Sequence, residues 1–145
     1  MSETNLPLVS AALPVRFVIY LPAASEARGV DPEVIESAVA KILCERFGGV
    51  TAYAAKGTFA SASGEAQTEP ITVLETYCAQ DAWDQNREGM AACARLLARL
   101  LKQEALGCSV NGNMVLIEAH GESLPEVLGA YASHEVYALL QRVLE

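Results

Sequence analysis

The sequence has few of the residues that carry most acid–base and metal chemistry in proteins. Among its 145 residues there are only two histidines, His120 and His134. Serine–histidine catalysis and most zinc sites depend on imidazole. The motifs GxGxxG, GxxxxGK[ST], GxSxG and HExxH are also absent, and each is typical of a known nucleotide, nucleophile or zinc site. These absences argue against the common enzyme classes, and the sequence leaves any cofactor unknown.

Basic residues are also scarce. Lys and Arg number 10 against 18 Asp and Glu, which gives a net charge of −8. Nucleic-acid-binding proteins concentrate basic side chains on one surface to displace counterions from phosphates. Because the basic residues here are scattered singly, we expect no nucleic-acid partner. An acidic surface can still meet a basic protein, so an acidic inhibitor or adaptor is one alternative function.

The sequence contains no apolar run of about 18 residues, the length needed to span a bilayer. Its first residues, MSETNLPLVSAALPVRF, lack the basic start of a secretory signal and contain two prolines. The four cysteines form no CxxC pair and lie in or beside apolar segments, as buried thiols do. We therefore expect a cytoplasmic protein with reduced thiols and no membrane attachment.

The hydrophobic content of 52% and the length suit one domain, residues 1–145, with its own core. Residues 1–14 are predicted to be a loose lead-in. Alternating apolar residues, helical periodicity, caps and turn signals then predict the order β-α-β-β-α-β. The predicted elements are a strand at 15–21, a helix from Asp31–Pro32 to Gly48, strands at 50–56 and 71–78, a helix at 84–106, and a hairpin of 108–110 and 113–119 around Asn111–Gly112.

A C-terminal helical region is predicted from the capping box at Ser123 to Glu145, with a break near residues 133–134. The whole order is that of a ferredoxin-like α+β sandwich, whose last strand is a short hairpin and which carries an extra C-terminal helix. Residues 57–70, GTFASASGEAQTEP, are small and polar and predict a long mobile loop.

Both long helices are expected on one face of this sheet, which leaves the other face open. The two-residue period of a strand places six side chains on that open face: Arg16, Tyr20, Thr51, Tyr53, Glu75 and Tyr77. Aromatic rings together with an Arg and a Glu suit a ligand pocket or a subunit interface. A polar sheet face covered by its tyrosines is the alternative.

Glu118 and His120 lie two residues apart at a strand end, so they can share a face. A carboxylate beside an imidazole can hold a metal ion or exchange a proton, although a solvated pair at a strand end is the simpler interpretation.

The segments FGGVTAYAAKGTF and EPITVLETYC resemble the second and third strands of PII-like signalling proteins, and the element order matches over about residues 15–119. They resemble small bacterial ferredoxin-like proteins of unknown function equally well. The PII-like resemblance implies a trimer that binds a nucleotide or similar anion between subunits. Carried over by position, it implicates Gly49, Thr51, Lys56 and a ligand-responsive loop that begins at Gly57.

These observations lead to one main hypothesis about function and one enzymatic alternative. The main hypothesis is a non-catalytic regulatory module that binds a small molecule or protein and self-associates through its sheet as a dimer or trimer. The alternative is a small oligomeric enzyme of the dimeric α+β barrel type, with a pocket on the open face. Its acid–base or orienting groups would be Glu75, Tyr77, Tyr53 and Tyr20.

Overall fold

The computed structural model describes residues 12–23, 31–119 and 132–145. These residues form five strands and three helices: β1 (Val15–Pro22), α1 (Pro32–Phe47), β2 (Thr51–Ala60), β3 (Ala66–Cys78), α2 (Gln80–Leu100), β4 (Ala105–Val110), β5 (Asn113–Glu118) and α3 (Ser133–Leu144). The strands make one antiparallel sheet in the order β2-β3-β1-β4-β5. The predicted ferredoxin-like α+β fold with an added C-terminal helix is therefore confirmed.

The central strand β1 shows the predicted alternation of its side chains. Phe17, Ile19 and Leu21 are buried against the helices, and Val15 is buried on the same side of the strand. Phe17 also packs against Trp83, with ring centroids 4.9 Å apart, and this contact joins β1 to the start of α2. Burial of these apolar side chains is the main favourable contribution to folding.

Helix α1 begins and ends where its caps predict. The Asp31 side chain accepts a hydrogen bond from the Glu33 amide at 3.0 Å, and Pro32 occupies the first turn. Gly48 ends the helix at φ 96°, a left-handed conformation that glycine adopts without a steric penalty. Its amide donates to the Cys44 carbonyl.

The predicted bounds of the second helix were wrong at both ends. Helix α2 starts at Gln80, four residues before the predicted start, and ends at Leu100 rather than at 106. Lys102 adopts a left-handed φ of 55°, which turns the chain out of the helix. As a result, Leu106 is buried in β4, and Gly107 lies within that strand instead of acting as a stop signal.

The predicted loop at residues 57–70 was also wrong. β2 and β3 pair continuously from Thr51 opposite Glu75 to Ala60 opposite Ala66, so the turn includes only residues 61–65. Because β1 ends at Pro22, opposite Ile71, residues 57–69 pair with each other and with no other described strand. We call this two-stranded extension the ribbon.

The hairpin of β4 and β5 has the predicted turn, with positive φ at both Asn111 and Gly112. Helix α3 contacts α1 and α2, and it buries Val136 and Leu140. The lead-in up to residue 11 and the capping box at Ser123 lie outside the described residues. No helix in the described part of the chain is both long and apolar enough to cross a membrane.

Candidate ligand site on the open sheet face

The three helices described above pack on one side of the sheet, and we call the other side the open face. Strand register places all six predicted side chains on it. Arg16 lies opposite Tyr77, Tyr20 opposite Val73, and Thr51 opposite Glu75. Tyr53 follows Thr51 by two residues and also lies opposite Val73. The structure therefore brings the predicted set together on one surface.

An ion pair between Arg16 and Glu75 joins the neighbouring strands β1 and β3 on this surface, near the start of β1 and the end of β3. The Arg16 Nε donates to Glu75 Oε2 at 2.6 Å, and Nη2 contacts the same oxygen. The Glu75 side chain is 17% exposed and that of Arg16 is 35% exposed. The hydrogen bond to Glu75 is the main cause of a raised pKa for Arg16, and the nearby Tyr77 adds to it. Glu75 Oε1 has no hydrogen-bond partner among the described residues.

The backbone of Arg16 is held by the turn between β4 and β5. The Arg16 amide donates to Asn111 Oδ1 at 2.7 Å, and the Asn111 amide donates to the Arg16 carbonyl at 2.9 Å. The hydroxyls of Tyr20 and Ser109 lie 3.4 Å apart. Sequence reasoning missed Asn111 and Ser109 because both contacts join residues about 90 positions apart.

Apolar and aromatic side chains surround the ion pair. Val18, Ile71 and Val73 form a buried floor, partly covered by Tyr20. Tyr53 and Tyr77 are each nearly half exposed. Toward the β5 edge the face continues with two strongly exposed side chains, Met114 and Leu116. Sequence reasoning missed this extension, although the alternation in NMVLIE placed both residues on one face.

The residues carried over from the PII-like resemblance do not form one group. Thr51 lies on the open face, whereas Lys56 lies opposite Pro70 and, by strand alternation, on the helix side. The Gly49 carbonyl accepts a hydrogen bond from Thr76 Oγ1 at 2.6 Å. Gly57 lies beneath the side chains of Ile71 and Phe59, which a Cβ atom would overlap. Packing therefore explains Gly57 without a ligand.

The suggested metal pair can be placed only in part. Glu118 ends β5, and His120 lies outside the described residues. Within the described ranges no group of three or more His, Cys, Asp or Glu side chains can hold a metal ion. The pair therefore stays a prediction.

Comparisons with known proteins show that this α+β fold occurs elsewhere. No protein-family model and no curated protein matches the sequence. A phage SAM lyase in complex with S-methyl-5′-thioadenosine matches with a TM-score of 0.53 at 14% identity, over 79% of this chain and 97% of that one. The apo state of the phage lyase also gives a TM-score of 0.53. These likenesses show a shared fold.

Two CutA structures match more distantly. The protein from Pyrococcus horikoshii gives a TM-score of 0.43 at 10% identity, over 90% of this chain and 99% of that one. The periplasmic divalent cation tolerance protein CutA from Archaeoglobus fulgidus gives 0.41 at 14% identity, over 90% and 98%. At these scores the similarity supports no argument, and the PII-like resemblance stays a prediction.

Proposed function

We propose that this protein is a ligand-binding module that self-associates through the open face of its sheet. The observation that carries the proposal is the composition of that face, where apolar and aromatic side chains surround one ordered ion pair. The described helices all pack on the opposite side. A regulatory protein of this kind binds a small molecule next to a subunit contact, so that binding and assembly affect each other.

A second copy of the chain is the expected cover for the apolar part of the face. Met114 and Leu116 are 59% and 71% exposed, and Tyr53 and Phe59 add further apolar surface toward the other edge of the sheet. Monomeric proteins rarely leave a large continuous apolar patch in water. Most self-associating proteins form closed symmetric assemblies, and a dimer or trimer satisfies this requirement.

The ion pair provides the polar part of a small-molecule site. Ligand sites commonly combine an apolar lining with a few oriented polar groups. Here Arg16 orients the Glu75 carboxylate and leaves Oε1 as an acceptor, while Tyr53 and Tyr77 offer rings for stacking.

An enzyme is the second candidate, favoured by the same oriented carboxylate. The phage lyase of similar fold binds S-methyl-5′-thioadenosine, as its complex records. If this chain has a related activity, Glu75 is the candidate acid–base group, and Tyr77, Tyr53 and Tyr20 orient the substrate. Incubation with S-adenosylmethionine, followed by chromatography for S-methyl-5′-thioadenosine, tests this candidate. Product formed by the wild type but not by Glu75→Gln supports it, and no product from the wild type excludes it.

Native mass spectrometry and light scattering test the proposed self-association. We expect the wild type to be a dimer or trimer, and Leu116→Glu to be a monomer because the new carboxylate would lie unpaired within the contact. Val143→Glu is the matched control, since Val143 is also an exposed apolar residue but lies on α3. A monomeric wild type, or equal dissociation of both variants, would overturn the proposal.

A further inference from the structure

The strands place little positive charge on the open face. Among the strand residues whose register puts them there, Arg16 is the one cation, while Glu69, Glu75 and Glu118 are acidic. Lys56 lies on the other side of the sheet. Among these strand residues, Arg16 alone can therefore offer a positive charge to a ligand phosphate.

Arg16 is not available to an anion because Glu75 already neutralises it. Two guanidinium nitrogens, Nε and Nη2, contact Glu75 Oε2. A phosphate approaching this pair would have to displace the carboxylate or accept repulsion from it. Since Glu75 is only 17% exposed, water screens that repulsion less than it would at a fully exposed site.

The same carboxylate can accept hydrogen bonds from an uncharged ligand. Oε1 has no partner among the described residues, so it can receive a hydroxyl or amino group. Tyr77 is two residues along β3 from Glu75, and Tyr53 is on the neighbouring strand, diagonally across from it. Their half-exposed rings offer stacking surfaces for a planar heterocycle on either side of the carboxylate.

We infer that Glu75 determines the charge specificity of this site: it excludes phosphate-bearing ligands and accepts hydrogen bonds from an uncharged planar ligand of the nucleoside type. This inference rests on the proposed ligand-binding function and specifies the ligand class. It differs from the anion that the PII-like resemblance implies. Glu75→Gln removes the negative charge with little change of shape, releases Arg16, and so converts the site to one that prefers a phosphate.

Isothermal titration of the full chain with adenosine and with AMP tests the inference, because the two probes differ only in the phosphate. We expect the wild type to bind adenosine at least about tenfold more tightly than AMP, as one charge-assisted contact implies. Glu75→Gln should reverse this order. Glu88→Gln removes an equal charge from an exposed position on α2 and should keep the wild-type order.

Arg16→Gln provides a second test that does not require Glu75 to be changed. It keeps the carboxylate and removes the cation, so AMP should bind even more weakly relative to adenosine. The inference fails if wild-type protein binds AMP as tightly as adenosine, if it binds no adenosine at millimolar concentration, or if Glu75→Gln leaves the ratio unchanged. Native mass spectrometry separates failure of this inference from failure of the proposed self-association. An intact oligomer that binds no adenosine contradicts the inference alone, whereas a monomeric wild type contradicts the proposed assembly.

Discussion

Arg16 is held by residues that are distant in sequence. Asn111 binds its backbone, 95 positions away, and Glu75 binds its side chain, 59 positions away. A long side chain loses substantial rotamer entropy when it is ordered, and that loss weakens most exposed ion pairs. Because folding already fixes the Arg16 backbone and buries most of the Glu75 side chain, part of this entropy is lost on folding and not on ligand binding. The pair is therefore oriented before any ligand binds.

Thr76 on β3 makes a hydrogen bond to the segment that precedes β2. Its side chain is 2% exposed, and its hydroxyl donates to the Gly49 carbonyl at 2.6 Å. Thr76→Val keeps the shape and leaves that carbonyl without its partner. Because Gly49 is exposed, water can reach its carbonyl, and we expect the free energy of unfolding to fall by about 0.5–1.5 kcal/mol, the net contribution of an ordinary hydrogen bond. Urea unfolding followed by the fluorescence of Trp83, the one tryptophan, measures it.

Thr72→Val is the matched control for this prediction. Thr72 lies on the same strand and, four residues away, on the same side of it, and its hydroxyl has no hydrogen bond to a described residue. Its replacement should change stability by less than about 0.5 kcal/mol. If both variants lost the same stability, the contact between Thr76 and Gly49 would not be the cause.

At the scale of elements, the ribbon shows what sequence reasoning could not predict. Residues 57–70 are small and polar, which is typical of a loop, yet most of them pair in two strands. β2 and β3 are already paired in register within the sheet, next to β1. This pairing continues into residues 57–69, whose own composition does not favour a strand. The strand β1 was predictable because its own alternation determines which side chains are buried.

The end of α2 is a second element that sequence reasoning misplaced. The apolar periodicity that predicts a helix continues through Leu101 and Leu106, so it contains no stop before Gly107. The left-handed Lys102 ends the helix earlier, and few non-glycine residues adopt that conformation. The pairing of β4 with β1 then takes Leu106 into the sheet. Tertiary contacts therefore decided this boundary.

The ribbon should open more easily than the sheet from which it extends. Within the described residues its two strands pair with each other alone, whereas residues 71–78 of β3 also pair with β1. We expect amides at 58–68 to exchange with deuterium at least about tenfold faster than those at 72–77, because local opening there disrupts few contacts. Leu116→Glu is the protein to use, so that self-association does not cover the ribbon. Equal protection of both segments would contradict this expectation.

For the whole molecule, the two sides of the sheet differ in the size of the core that each one buries. The helix side holds the larger core cluster, which includes residues from all three helices and from β1, β3 and β4. The open face holds a second, smaller cluster around Val18, Ile71 and Val73. Composition and periodicity predicted this division. They predicted that Arg16 and Glu75 share this face, but not the contacts of Asn111 and Ser109, which lie about 90 positions along the chain from their partners.

The buried thiols of the helix side should make stability fall at alkaline pH. Burial raises the pKa of the Cys93 and Cys108 thiols to about 12, from an ordinary value of 9.0. Their contribution to stability is fully present below pH 9. Between pH 9 and about 12 the unfolded chain releases protons that the folded chain retains, so the free energy of unfolding decreases as the pH rises.

Each thiol contributes a slope of at most about 1.4 kcal/mol per pH unit in this range. Urea unfolding at pH 8, 9 and 10 measures the slope, and replacing Cys108 by alanine should remove one thiol's share of it. The same replacement also creates a small cavity, which lowers stability equally at every pH and leaves the slope untouched. Cys44→Ala, which removes an exposed thiol, should keep the wild-type slope. If stability were constant from pH 8 to 10, these two thiols would not be buried as the structure places them.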